Sequence, residues 1–126
     1  MSGWWPWPIP AKPSDSPLMF HRERKDAVGG TTENLRYALG ERCYLRHVSA
    51  YNNTDIGTIH LYLLDRRTGD IVHHNLAFKQ TSYAGEPINY EPPVNLIVAN
   101  PNAVQAEFWN TTAGDDLVLS VLTERI

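Results

Sequence analysis

The chain has 126 residues, of which 42% are hydrophobic and 20% charged, so it can form one hydrophobic core and has the composition of an ordinary soluble globular domain. Its net charge of −3 argues against a general nucleic-acid-binding surface, and its single cysteine, Cys43, excludes an intramolecular disulfide and a cysteine-rich zinc site. No stretch approaches the roughly 20 apolar residues that span a bilayer, and the first residues do not resemble a signal peptide. We expect a soluble, unexported protein with no nucleic-acid or membrane partner.

Residues 1–17 are rich in tryptophan and proline, and they are predicted to form an extended arm, because proline fixes the backbone near the polyproline conformation. Each indole ring buries on the order of 200 Å² when it is covered, so three of them favour a binding role. The arm either reaches a neighbouring subunit or partner, or folds back on its own domain, and the sequence leaves both open. Its predicted partner-binding residues are Trp4, Trp5, Pro6, Trp7, Pro8, Ile9 and Pro10.

Residues 21–26 form a run of mixed charge, which is typical of a solvated connector. Residues 29–32 read as a turn, and the Gly-Lys-Ser/Thr ending of a phosphate-binding loop is missing. The sequence therefore predicts an arm and connector over residues 1–33 and a β-sandwich domain over residues 34–126.

Two strands around the turn at residues 52–57 dominate the first half of this domain. We predict that they form a hairpin in which Ala50 lies opposite Ile59 and Val48 opposite Leu61. Alternation then gives two faces, because successive strand side chains point to opposite sides. One face carries Val48, Ala50, Ile59, Leu61 and Leu63, and the other carries His47, Ser49, His60 and Tyr62.

Further short strands are predicted on both sides of this hairpin, at residues 35–39, 71–78, 96–99, 104–109 and 117–122. Residues 88–93 contain paired prolines, which place them at a sheet edge or outside a sheet. No ten-residue stretch has sustained helical periodicity. The predicted fold is therefore all-β, a single antiparallel β-sandwich or jelly roll.

No catalytic or metal-binding pattern accompanies these strands. The sequence has no His-X-His pair and no histidine after His74, so neither a metal site nor a cofactor is predicted. A nucleophile elbow is also missing, and we expect a protein without enzymatic activity; a small cupin-like enzyme stays open only if the protein binds metal. The predicted outer-face contacts are His47, His60, Tyr62 and Trp109, and an alternative sugar-binding platform comprises Tyr62, Tyr83, Tyr90 and Trp109.

Residues 44–54, followed by residues 58–63, resemble a recurrent pattern of small tailed-bacteriophage virion domains, in which an Asn-Thr type turn precedes a strand of alternating V-X-L-Y-L character. Residues 113–121 are similar to the last hairpin of those domains. The chain departs from the pattern at Asn100-Pro101-Asn102, where a Pro-Gly-Asp-like turn is more usual, and in its arm, which has no counterpart there.

This resemblance implies a structural protein of the virion, assembled in the host bacterial cytoplasm. A capsid decoration or cement subunit that binds neighbouring capsid proteins through its arm is the principal expectation. The implied partners are the major capsid protein or other virion proteins, together with further copies of the chain in a homo-oligomer, a trimer being favoured. A neck or tail accessory protein and a carbohydrate- or receptor-binding module are the alternatives.

Overall fold

The computed structural model describes residues 17–67, 69 and 71–126, and these form strands joined by turns and loops. None of the described residues lies in a helix that is long and apolar enough to cross a bilayer. In chain order the strands are β1 (Leu18–Asp26), β2 (Gly30–Ala38), β3 (Cys43–Asn52), β4 (Gly57–Asp65), β5 (Ile71–Ser82), β6 (Ile88–Tyr90), β7 (Leu96–Val98), β8 (Asn102–Thr111) and β9 (Asp116–Arg125).

The strands build two antiparallel sheets. Sheet A has the order β1-β9-β3-β6, with β7 pairing beside β6 along the same edge of β3. Sheet B has the order β2-β8-β4-β5. If β6 and β7 are counted as one interrupted strand, each sheet has four positions, and the chain repeatedly crosses between the sheets as in a jelly roll. The predicted all-β antiparallel sandwich is confirmed.

The core lies between the sheets and follows from strict alternation along the central strands. Val48 and Ala50 of β3 face inward from sheet A, while Ile59 and Leu61 of β4 face inward from sheet B. Phe108 of β8 is the largest of the side chains that are almost fully buried. Burying such side chains contributes about 1.5–3 kcal/mol each relative to leaving them in water.

The predicted hairpin of β3 and β4 is wrong, although both strands and both faces are correct. β3 pairs with β9, β6 and β7, and β4 pairs with β8 and β5, so the two strands lie in opposite sheets. The connection at residues 53–56 crosses from one sheet to the other and is held by hydrogen bonds to Asp116 of β9. The Asn53 amide donates to the carbonyl of Asp116 at 2.8 Å, and the Asp116 amide donates to Thr54 Oγ1 at 3.0 Å. These contacts tie the start of the connection to β9 of sheet A, before the chain crosses to sheet B.

Residues 21–26, predicted as a solvated connector, belong to β1 instead. This strand pairs with β9 along its whole length, from Leu18 opposite Glu124 to Asp26 opposite Asp116. A charged sequence is compatible with a strand here because β1 is the edge of sheet A, where inward and outward polar groups both reach water. Residues 30–33, assigned to the same connector, are the start of β2.

The later strands agree with the predictions and extend beyond the predicted bounds. β5 continues to Ser82, β8 runs from Asn102 to Thr111, and β9 runs from Asp116 to Arg125. The proline-flanked segment forms the short strand β6 at the edge of sheet A, as its prolines predict.

Candidate interaction surfaces

The outer face of sheet A carries an exposed apolar area next to the point where the described chain begins. Phe20 pairs with Leu122, and Tyr44 pairs with Ile97, so these side chains occupy two adjacent rows on the same face. Phe20 is 61% exposed, and Leu18 and Ile97 are exposed as well. We name this area the sheet A patch; it comprises Leu18, Phe20, Tyr44, Ile97 and Leu122.

A fixed polar pair crosses the sheet A patch. Arg46 Nε donates to Glu124 Oε1 at 2.6 Å, and the Arg46 guanidinium lies 4.6 Å from the centroid of the Tyr44 ring. Arg46 Nη1 also donates to Asn95 Oδ1 at 2.7 Å. His47, one of the predicted outer-face residues, faces the same side in the row of Leu122. The patch therefore combines apolar and aromatic side chains with an arginine, and aromatic residues and arginine are enriched at protein interfaces.

The other three predicted outer-face residues lie together on the outer face of sheet B. His60 of β4 is opposite Glu107, and Tyr62 is opposite Gln105. Trp109 lies one row beyond Glu107 on the same face. The prediction that His47 and His60 are near neighbours is wrong, because β3 and β4 belong to different sheets and the two histidines face opposite sides of the sandwich.

Tyr62 lies in the middle of the outer face of sheet B, where hydrogen bonds hold its hydroxyl. Its hydroxyl donates to Glu107 Oε2 at 3.0 Å and accepts from Gln105 Nε2 at 2.9 Å, and Gln105 Oε1 accepts from Arg36 Nε at 2.8 Å. Burial raises the pKa of Tyr62 above its ordinary value. Since its ring is 7% exposed, Tyr62 supports the neighbouring side chains and does not itself present a ring face to a ligand.

The rings around Tyr62 cover one another. The His60 ring meets Phe78 edge-on, with 4.7 Å between the centroids, and His60 Nε2 lies 2.7 Å from Asn75 Oδ1. A bulge in β5 sets Phe78 and Lys79 opposite His60 and gives Lys79 a φ of 49°, in the left-handed region. Lys79 Nζ then lies 5.1 Å from the centroid of the Trp109 ring.

The alternative sugar platform of four rings is not assembled. Tyr90 packs against the main core, whereas Tyr83 is exposed in the loop after β5. Two other rings on the outer face of sheet B, those of Trp109 and the exposed Phe78, both lie near Lys79 Nζ, which is 5.1 Å and 5.4 Å from their respective centroids. The Trp109 indole nitrogen is buried and has no hydrogen-bond partner among the described residues.

A cavity of about 420 Å³ opens between the sheets at the end of the sandwich where β1 begins. Its inner wall is a stack of His21 on Tyr37, with 4.3 Å between the ring centroids and an angle of 21° between the planes. His21 Nε2 lies 3.2 Å from the Tyr37 hydroxyl, which links the two edge strands. Leu39, Cys43 and Thr123 complete the wall. The volume is in the range of small-ligand pockets.

The inner wall of this cavity is uncharged at neutral pH. Burial lowers the pKa of His21 and outweighs the opposing effect of Glu23. Burial likewise raises the pKa of Tyr37 and that of the Cys43 thiol. Cys43 is a free cysteine and is buried. Glu41, Arg42 and Arg125 also line the cavity, so charged side chains accompany a neutral wall.

Local sequence does not indicate this cavity, because its wall comes from three separated segments, residues 19–21, 37–43 and 123–125. Residue 21 was assigned to a connector, and nothing local pairs it with Tyr37. Reading β1 as a strand would have supplied one signal, since Met19 and His21 then face the same side. The predicted arm residues, Trp4 to Pro10, lie outside the described residues. Within the described ranges, no group of three or more potential metal-ligating side chains occurs.

Comparison with known proteins gives no family. No family model matches the chain, and no curated protein matches it. A structure of infectious bursal disease virus, Gt strain, is similar at 13% identity and a TM-score of 0.36, covering 94% of this chain and 36% of that one. The NLP core of Drosophila, described for pentamer formation and histone binding, is similar at 11% identity and a TM-score of 0.35, covering 86% of this chain and 97% of that one. At these scores the likenesses carry no argument about function.

Proposed function

We propose that this chain is a non-enzymatic structural subunit of a virion, a capsid decoration or cement protein that binds neighbouring subunits of the shell. The observation that carries the proposal is the sheet A patch, which begins at the residue where the arm joins the sandwich. Exposed apolar areas of this kind mark sites of protein association. The arm that precedes this patch in the sequence contains three tryptophans.

The arm and the patch suit assembly for a shared physical reason. A proline-rich arm is already extended before it binds, so it loses little backbone entropy on docking. Phe20 and Leu18 project from a paired strand, so their positions are fixed before contact. More of the free energy of apolar burial therefore appears as binding affinity.

A matched pair of variants tests the patch. Phe20 is 61% exposed on sheet A, and Phe78 is 60% exposed on sheet B, so Phe20→Ser and Phe78→Ser remove equally exposed rings from opposite faces. We expect Phe20→Ser to weaken co-sedimentation with particles produced from the genome that encodes this chain by about tenfold or more, as truncation of an interface anchor does. Phe78→Ser should bind like the unmodified chain.

Deletion of residues 1–16 is expected to abolish particle binding while the circular dichroism spectrum of the sandwich is retained. Equal particle binding by the unmodified, arm-deleted and Phe20→Ser proteins would refute the proposal. So would the absence of the protein from purified particles by mass spectrometry.

A second candidate function is carbohydrate or receptor binding by the outer face of sheet B. Lys79 Nζ lies 5.4 Å from the centroid of the exposed Phe78 ring and 5.1 Å from that of the Trp109 ring, and this favours the candidate, because sugar-binding sites pair aromatic faces with hydrogen-bond donors. Glycan-array binding that is lost in Trp109→Ala and in Phe78→Ser, but kept in Phe20→Ser, would support this candidate. A silent array would count against it.

A further inference from the structure

The cavity beside β1 is an open end of the hydrophobic core. Its wall residues Leu39 and Cys43 belong to the core cluster, yet no side chain of the described residues fills the space between them and Met19. A wall with apolar atoms and a few polar ones, such as Thr123 Oγ1 and the Tyr37 hydroxyl, suits a ligand that is aromatic with one hydrogen-bonding atom. Tryptophan has this chemistry, and arginines such as Arg42 at the same site favour an indole face.

The arm joins the sandwich beside this cavity. The Pro17 carbonyl accepts a hydrogen bond from the Arg125 amide at 2.8 Å, and Arg125 is itself one of the lining residues. Met19, two residues farther along the chain, lines the cavity too. Whatever leaves Pro17 toward the N-terminus therefore starts next to the cavity.

The number of residues between the tryptophans and Pro17 indicates whether they reach the cavity of their own chain or that of a second copy. Trp7 is the last tryptophan of the arm in the sequence and stands ten residues before Pro17, with prolines at positions 8, 10 and 13 between them. A polyproline backbone advances about 3.1 Å per residue, so ten residues in that conformation would span on the order of 30 Å. That span is comparable to the diameter of a small domain, so it is long enough to reach the cavity of a neighbouring molecule.

We infer that the cavity receives a tryptophan from the arm of a second copy of this chain. The inference rests on the proposed function, since it takes the arm as an assembly element, and it names the acceptor. Each copy then offers one arm and one cavity, which are different surfaces. Such a heterologous contact closes into a ring when the rotation between copies permits it.

Two variants of the full chain test the arm and the cavity separately. One variant combines Trp4→Ala, Trp5→Ala and Trp7→Ala and keeps the cavity. The other, Gly40→Phe, keeps the arm and is designed to narrow the cavity, because it adds a large ring at an exposed residue of the lining where a Cβ meets no atom within 4 Å. Gly40→Ala is the matched control, since it alters the same position without occupying the space.

Light scattering measures the solution mass of each variant and therefore its oligomeric state. We expect the unmodified chain and Gly40→Ala to be oligomers, and each of the other two variants to have the mass of a single chain, 14.3 kDa. A mixture of these two monomers should form a one-to-one dimer, because one supplies a free cavity and the other a free arm. Thermal unfolding of Gly40→Phe near that of Gly40→Ala shows that the variant is folded.

Three outcomes would overturn the inference: an unmodified chain that is monomeric, a Gly40→Phe protein with the oligomeric mass, or a mixture that stays monomeric. Failure here is distinguishable from failure of the proposed function. If arm deletion abolishes particle binding while Gly40→Phe binds particles and oligomerises normally, the assembly role stands and the acceptor is another protein.

Discussion

Glu33 is a buried carboxylate where β1 turns into β2, and Glu33→Gln is a sharp test of what holds this edge of the sandwich. Its Oε1 accepts from the Val28 amide at 2.9 Å and lies 3.4 Å from Lys25 Nζ. Its Oε2 accepts from the Gly29 amide at 3.2 Å and from the Thr111 hydroxyl. Both oxygens therefore act only as acceptors, and the side chain is 5% exposed.

Glutamine keeps the shape of this side chain but has one acceptor where the carboxylate has two. If its nitrogen replaces Oε2, the Thr111 hydroxyl can rotate to accept a hydrogen bond, but the Gly29 amide faces another donor. One partly buried amide then loses its partner, and the remaining bonds lose their charge assistance. Hydrogen bonds to charged groups and unsatisfied buried donors are each worth roughly 1–3 kcal/mol, so we expect a loss of about 2–3 kcal/mol of unfolding free energy.

The effect must also depend on pH in a defined direction. Burial by itself raises the pKa of Glu33, but the hydrogen bonds from Thr111, Val28 and Gly29, together with Lys25, outweigh burial and hold the pKa below its ordinary value of 4.5. A carboxyl group with a lowered folded-state pKa stabilises the fold fully above its unfolded-state pKa. This stabilisation is lost as the pH falls through the folded-state pKa. The difference between the unmodified chain and Glu33→Gln should therefore shrink in acid.

Urea unfolding followed by tryptophan fluorescence measures both quantities, and equal slopes against urea show that the two proteins expose the same surface. Glu86→Gln is the matched control, because Glu86 is an exposed carboxylate in a loop. A Glu33→Gln protein as stable as the control near neutral pH would refute this account of the edge. A stability difference that persists unchanged well below pH 4.5 would refute the electrostatic part of it.

Three further predictions concern stability and use the same assay. Phe108→Ala should cost about 3–5 kcal/mol because Phe108 is 1% exposed in the core, whereas the exposed Phe78→Ala should cost far less; equal costs would contradict the assigned core. Asn52→Ala should cost roughly 2–3 kcal/mol, because its buried amide donates to Asp115 Oδ2 at 2.9 Å and its oxygen accepts two backbone amides, while the exposed Asn53→Ala serves as the control. Arg24→Ala should leave the midpoint nearly unchanged in high salt, since this exposed guanidinium pairs with a surface carboxylate; a large shift would contradict that.

Alternation along the strands fixed which side chains face the core, but it did not fix the partner of each strand. Val48 and Ile59 face inward both in a hairpin and across two opposed sheets, so the pattern fits either arrangement. Long-range contacts determine which arrangement forms. One of them is the hydrogen bond from the Asn53 amide to the Asp116 carbonyl, which joins residues 63 positions apart. Local sequence contains no record of such a contact.

β1 shows the same limit from the opposite side. Its run of alternating charges has low strand propensity, and by composition residues 21–26 resemble a solvated connector. The strand forms because β9 offers an unpaired edge along its whole length, opposite residues 18–26. Pairing with β9 therefore overrides the low strand propensity of these residues. The cavity that His21 lines could not be predicted for the same reason.

The position of β9 has a consequence for how the chain reaches this fold. β9 follows every other described strand in the sequence, yet it lies between β1 and β3 and pairs with both. A nascent chain that ends before residue 116 therefore holds two strands of sheet A with no common neighbour. Such distant pairings place folding in the millisecond-to-second class and delay closure of the sheet until the ribosome has released residues through Arg125. Loss of residues 116–125 would remove the middle of a sheet, whereas loss of an equal length from β1 would remove only its border.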